Sequence, residues 1–107
     1  MKIIWTQYAL DDLQDIRFYL KQNEHLASAS KVTQEILAEV NSLKDRNIKG
    51  TFVPELEDLH LMTHRQLLAG QHRILIEYGY NDIIYIHMLA HTSRDLEALI
   101  RRRLLNS

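Results

Sequence analysis

Cysteine is absent from this chain of 107 residues, proline occurs once and glycine three times. Without cysteine, neither a disulfide nor a thiolate metal site can hold the fold together, which suits a reducing compartment. An excess of positive charge is also missing. Thirteen Lys/Arg stand against fourteen Asp/Glu, a formal net charge of −1, which argues against a protein that lives by phosphate contacts. No run approaches the roughly eighteen apolar residues of a membrane span. The segment Met1-Lys2-Ile3-Ile4-Trp5-Thr6-Gln7 has no long apolar stretch of the signal-peptide kind. A cytoplasmic location with no membrane partner is therefore expected. Internal repeats and low-complexity tracts are lacking as well.

What is present suits one small domain over residues 1–107. At 46% hydrophobic, the chain can build a modest core, burying roughly two-thirds of the surface its unfolded form exposes. A partner that adds buried surface would matter to such a chain. The charge is unevenly placed. Residues 1–60 carry 7 Lys/Arg against 10 Asp/Glu, and residues 61–107 carry 6 Arg against 4 Asp/Glu. The later basic residues are all arginine, the better bidentate ligand for carboxylate or phosphate. Four of the six histidines also lie between positions 64 and 91.

The β-branched and aromatic start predicts a strand over residues 2–6. Thr6 then caps a helix over 7–21, with Ala9, Leu13, Ile16 and Leu20 at helical spacing and Asp11, Asp12 and Asp15 in its first turns. A polar link, 22–25, leads to a second helix over 26–46, faced by Ala29, Val32, Ile36, Val40 and Leu43. Together they make a helical hairpin. Residues 47–63, with Gly50, Pro54 and the acidic run from Glu55 to Asp58, read as a loop. Three strands follow, over 64–68, 72–78 and 83–91, with turns at Gly70 and at Gly79-Tyr80-Asn81-Asp82. A last helix begins near Ser93 or Arg94 and carries Leu96, Leu99, Ile100 and Leu104. The order β-α-α-β-β-β-α gives an α+β fold: a helical hairpin packed on a small twisted, mostly antiparallel sheet, with a C-terminal helix.

Several residue sets then stand in a telling order. They are Trp5-Thr6 with Ala9; Asp12-Leu13 and Ile16 with Tyr19; Gly50 with Pro54-Glu55-Leu56; Arg65-Gln66-Leu67; His72-Arg73-Ile74-Leu75 with Glu77-Tyr78; and His91-Thr92-Ser93-Arg94-Asp95. Each is weak alone, but the ordered set, spanning nearly the whole chain, resembles the RelE/ParE superfamily of toxin–antitoxin toxins. That resemblance implies a cognate antitoxin, a hetero-oligomeric complex and one of two activities. RelE-like members cut messenger RNA on the ribosome, and ParE-like members poison DNA gyrase.

Metal-free RNA cleavage needs a base for the ribose hydroxyl, a positive clamp on the phosphate and an acid for the leaving oxygen. For a RelE-like nuclease the candidate catalytic residues are Arg73, His91, Arg94 and Arg65. The chain is thin in the rest of that equipment. No lysine follows Lys49 and no tyrosine follows Tyr85. The His-x-x-Arg-Asp turn and the long hairpin look more like ParE. The favoured expectation is therefore a ParE-like gyrase inhibitor with no catalytic residues and no cofactor. Arg65, Arg73, Arg94, Arg101 and Arg102 are its candidate partner-binding residues, and a ribosome-dependent endoribonuclease is the alternative.

Plainer roles compete at each position. Arg73 can pair with Glu77 on its own strand. Arg94 and Asp95 can cap the last helix. Arg101 to Arg103 can be a solvated helix end, and Trp5 and Tyr19 can be core packing. His87 and His91 are expected on one strand face with Tyr85 and Leu89. No metal site is expected there, because nothing nominates further ligands. The His60/His64 spacing is set aside because it lies on no convincing helix.

Overall fold

A computed structural model describes residues 1–45, 47–59 and 63–105, without the side chains of residues 58, 59, 104 and 105. Strand β1 (Lys2–Trp5) leads into helix α1 (Gln7–Asn23) and helix α2 (Leu26–Ser42). A short 3-10 segment, Pro54–Leu59, precedes strands β2 (His64–Ala69), β3 (His72–Tyr78) and β4 (Ile83–His91), and helix α3 (Leu96–Leu105) closes the described chain. The α+β order read from the sequence is thus the order observed. None of the described helices is long and apolar enough to cross a membrane.

The strands lie in the order β1-β4-β3-β2. The three later strands are antiparallel, and β1 joins β4 in parallel. Parallel pairing follows from the intervening hairpin, because the chain must cross over the sheet to return in the same direction. Thr6 ends β1 and starts α1. Its hydroxyl accepts from the Ala9 amide at 3.2 Å and donates to the Ile86 carbonyl at 3.0 Å, so the cap is pinned to β4.

Both faces of the sheet are covered. The hairpin covers one face, burying Ala9, Ile36, Val40 and Leu43 on Ile74, Ile76, Ile84, Ile86 and Leu89. On the other face α3 and the 3-10 segment bury Leu96, Ile100, Val53 and Leu56 on Leu75, Met88 and Ala90. This explains why β3 reads Ile74-Leu75-Ile76 without alternation: both of its sides are inside.

Several boundaries differ from expectation. Helix α2 stops at Ser42, so the predicted residues up to 45 belong to turns, and Arg46 lies outside the described residues. The loop over 47–63 is partly ordered by the 3-10 segment and by a bridge between Thr51 and Gln66. Gly50 makes this approach possible. Its φ is +75°, and a Cβ there would lie 2.7 Å from the Gln66 carbonyl oxygen. Helix α3 starts at Leu96, with Asp95 accepting from the Ala98 amide at 3.1 Å. His60 lies outside the described residues, and so does the side chain of Leu104.

The strand faces also change along β4. A bulge between Leu75 and Ile76 in the β3–β4 register pairs Ile76 with Ile86 but Leu75 with Met88, leaving His87 as the extra residue. Tyr85 and His87 therefore point to the α3 face, whereas Leu89 packs in the hairpin core. The expectation that Tyr85, His87, Leu89 and His91 share one face fails because strict alternation does not survive a bulge.

Candidate functional site

A cleft of about 740 Å³ opens between the helical hairpin and the exit of β4. Asp15 and Tyr19 of α1, Glu35 of α2, His72 of β3, and His91 and Arg94 of the β4 exit line it. The β2–β3 turn closes one end. Gly70 turns there with φ +59°, and a Cβ on it would stand 2.9 Å from a Glu35 carboxylate oxygen.

His91 is tightly held. Its Nδ1 accepts from the Ser93 amide at 3.1 Å and lies 2.7 Å from the Ser93 hydroxyl, while Nε2 lies 3.1 Å from the Gln71 side-chain oxygen. An accepting Nδ1 leaves the ring proton on Nε2, which donates to Gln71. The ring thus braces the turn after β4. His72 meets it edge-on at 5.4 Å. Burial, reinforced by His91 and opposed by Glu35, pushes the His72 pKa down.

The candidate arginines separate into engaged and free ones. Arg73 forms a bidentate pair with Glu55 at 2.7 and 2.8 Å, and its Nε donates to Gln66 at 2.8 Å. Its partner is therefore not Glu77, as its position on the strand suggests, but an acid of the 3-10 segment. The Arg73 hydrogen bond holds the Glu55 carboxyl below its usual range against the opposing effect of burial. Arg65 stacks over Phe52 at 4.3 Å. Arg101 makes only an exposed i,i+4 pair with Glu97. Arg94 is exposed at the cleft, and Arg102 is exposed on α3; among the described residues neither forms an ion pair.

Arg103 is not part of a solvated helix end. It grips Asp12 through both carboxylate oxygens and lies over Tyr8 at 5.1 Å. Asp12 also accepts from the Leu89 amide at 2.9 Å. This acid is buried, and its role is to tie α1 to β4 and α3 rather than to complement a helix dipole. Neither it nor Arg103 stood out by spacing, since their 91-residue separation closes only in three dimensions.

Tyr19 departs from expectation in the other direction. It is 63% exposed, beside Phe18 at 66% and Leu26 at 65%. The signal was legible, because Phe18 and Tyr19 lie off the apolar face marked by Ala9, Leu13, Ile16 and Leu20. The tip of the hairpin thus offers an apolar, aromatic surface next to the cleft. Trp5, by contrast, does pack against the hairpin-face core.

On the α3 face, His64, Glu77 and His87 come together from three strands, with ligand-capable atoms all within 4.8 Å of one another. Desolvation lowers the His64 pKa and outweighs the attraction of Glu77, so this ring is neutral.

Of the candidates, the fold brings His91 and Arg94 to one cleft. It turns Arg73 to the α3 face, leaves Arg65 on Phe52, and sets Arg101 and Arg102 on the outside of α3. Acid–base chemistry would need a base with a free nitrogen beside a free cation. His91 has both nitrogens engaged, and Arg73 has each of its three guanidinium nitrogens bonded to Glu55 or Gln66.

Residues 3–96 match the family model described as the ParE toxin of the type II toxin-antitoxin system, parDE. No curated protein matches the chain. A solved structure described as the chromosomal ParDE TA system from P. aeruginosa is similar, with a TM-score of 0.68 and 19% identity, covering 85% of this chain and 95% of that one. At that identity the likeness speaks for the fold.

Proposed function

The chain belongs to the ParE toxin family of type II toxin–antitoxin systems, and from that premise we propose that it arrests growth by binding DNA gyrase rather than by cutting RNA. One observation carries the choice between the two. The groups that a nuclease would need are already committed: Arg73 to Glu55 and Gln66, and His91 to Ser93 and Gln71. In this reading the protein does no chemistry of its own. Arg94 and Arg102, with Arg65 and Arg101 in support, contact the gyrase–DNA complex, while Arg73 acts indirectly by holding the 3-10 segment against the sheet.

A cognate antitoxin holds the toxin inactive in a cytoplasmic hetero-oligomer. The exposed Phe18, Tyr19 and Leu26 and the adjoining cleft favour an antitoxin segment that orders on binding, its apolar side chains covering the hairpin tip. Besides Asp12, which pairs with Arg103, the cleft's acids Asp15, Glu24 and Glu35 outnumber its cations Lys31 and Arg94 and suit a basic segment.

Purified gyrase decides the matter. Supercoiling is expected to fall and linear DNA to accumulate when the protein is added, and antitoxin is expected to reverse both. If supercoiling is untouched at large excess while translated messages are cut at codon positions, the ribosome-dependent endoribonuclease takes its place.

A further inference from the structure

Three strands place one imidazole, one carboxylate and a second imidazole at the same level of the α3 face. His64 of β2 stands directly across from Glu77 of β3, and Glu77 stands across from Tyr85 of β4. The bulge then keeps His87 on that face, where its Nε2 lies 2.7 Å from Glu77 Oε1. The His64 Nε2 is 4.0 Å from the same oxygen. The two imidazole rings are near-parallel, with centroids 5.7 Å apart.

His64 is the unsettled member. Its side chain is only 10% exposed. Its Nδ1 is buried without a hydrogen-bond partner among the described residues, and its Nε2 is too far from Glu77 for a hydrogen bond. A buried imidazole nitrogen without a partner is costly, and native structures rarely keep one without a reason.

We propose that His64, Glu77 and His87 form a binding site for a divalent transition-metal ion of the zinc class. Two neutral imidazoles and one carboxylate are the donors such an ion selects, whereas magnesium and calcium want oxygen alone. Ligand bonds of about 2.0–2.2 Å in a tetrahedron put donor atoms ~3.3 Å apart. The observed 2.7 and 4.0 Å straddle that spacing, so the carboxylate backs away from His87 as His64 closes in, a movement within side-chain reach. The ion gives the His64 Nε2, which faces Glu77 at 4.0 Å, a ligand bond and replaces the His87–Glu77 contact with two more. Glu77 and His87, each about one-third exposed, leave a solvent-facing fourth position for water. The ion stitches edge strand β2 to β3 and β4, so its effect is on stability and is independent of the gyrase reading.

The test is zinc binding by the untagged full chain, measured by calorimetry and by the thermal midpoint. One ion per chain is expected, with a midpoint at least ~5 °C higher at a hundredfold excess of zinc over its dissociation constant. Magnesium is expected to give no shift. Glu77→Gln, which keeps the shape of the side chain, and His87→Ala each weaken zinc binding by at least ~10-fold, whereas exposed His25→Ala leaves it unchanged. Cobalt bound in place of zinc gives the intense visible bands of tetrahedral coordination, and these vanish in Glu77→Gln. The proposal is overturned if the chain binds no zinc, if both site variants bind it as the parent does, or if His25→Ala weakens it equally. In any of those cases the three residues are a cluster held by the one His87–Glu77 hydrogen bond and nothing more.

Discussion

The two faces of the sheet are built differently. Under the helical hairpin the core is aliphatic, with Ile36, Leu43, Ile74, Ile76, Ile84 and Ile86 fully buried, and the buried polar groups of that side, Asp12 and His72, line the cleft beside it. Beneath α3 and the 3-10 segment the apolar patch is smaller, and polar chemistry adjoins it: the Glu55–Arg73–Gln66 network and the His64–Glu77–His87 group. The hairpin face therefore buries more apolar side chains, with His72 as a titratable group at its cleft, and the α3 face carries the Glu55–Arg73 pair and the candidate cation site. A thin cover built from one short helix and a 3-10 turn leaves the polar side chains of this face partly in contact with water.

The largest test of this contrast is truncation in each core. Ile36→Ala on the hairpin face is expected to cost ~4 kcal/mol, and Leu56→Ala on the α3 face ~2–3 kcal/mol because the thinner layer relaxes into the space. Urea unfolding of both variants measures it, and equal costs would break the comparison. Next comes Asp12→Ala, which strands Arg103 and the Leu89 amide together. A loss of ~2–3 kcal/mol is expected, against almost none for the exposed Asp11→Ala.

Smaller again is Glu55→Gln, at ~1–2 kcal/mol for a charge-assisted pair. Its sign with pH is fixed by linkage. The native Glu55 pKa lies below its unfolded value, so its contribution is complete above the ordinary carboxylate range. That contribution drains away as pH falls through the lowered native value. Acid titration of stability in the parent and in Glu55→Gln is expected to show a steeper acid loss in the parent, and superimposable slopes would exclude the pair as a contributor. The smallest effect on stability is reserved for Arg94→Ala and Arg102→Ala, each within ~0.5 kcal/mol. Gyrase inhibition is nonetheless expected to drop about 10-fold in the double variant. A double variant that unfolds readily, or one that inhibits as the parent does, would remove these arginines from the contact surface.

Element order was legible because the hydrophobic period changes sharply along the chain. Ala9, Leu13, Ile16 and Leu20 mark one helix, Ala29 to Leu43 another, and the apolar runs before Gly70, between Gly70 and Gly79 and after Asp82 mark the strands. Less legible was anything that depends on two distant segments meeting. Arg73 is a strand residue by every local measure, yet its partner sits eighteen positions back, in a stretch that has no period. The bulge opposite Leu75 and Ile76 left no mark in composition, so the faces of His87 and Leu89 were misassigned together. Of the four candidates Arg73, Arg65, His91 and Arg94, only His91 and Arg94 share the cleft, because they are three positions apart in one turn. Asp12 and Arg103, which lock the helices around them, were hidden among other acids and arginines.

By itself, then, the sequence determined the α+β order, the hairpin, the apolar face of each helix and the family. All of these rest on patterns that repeat every two or every three to four residues, or on ordered local motifs. Tertiary structure alone decided which charges are spent and which remain free. A guanidinium or imidazole has the same local sequence whether or not a carboxylate waits across the sheet, and only the folded chain brings Glu55 to Arg73, Asp12 to Arg103 and Glu77 between His64 and His87.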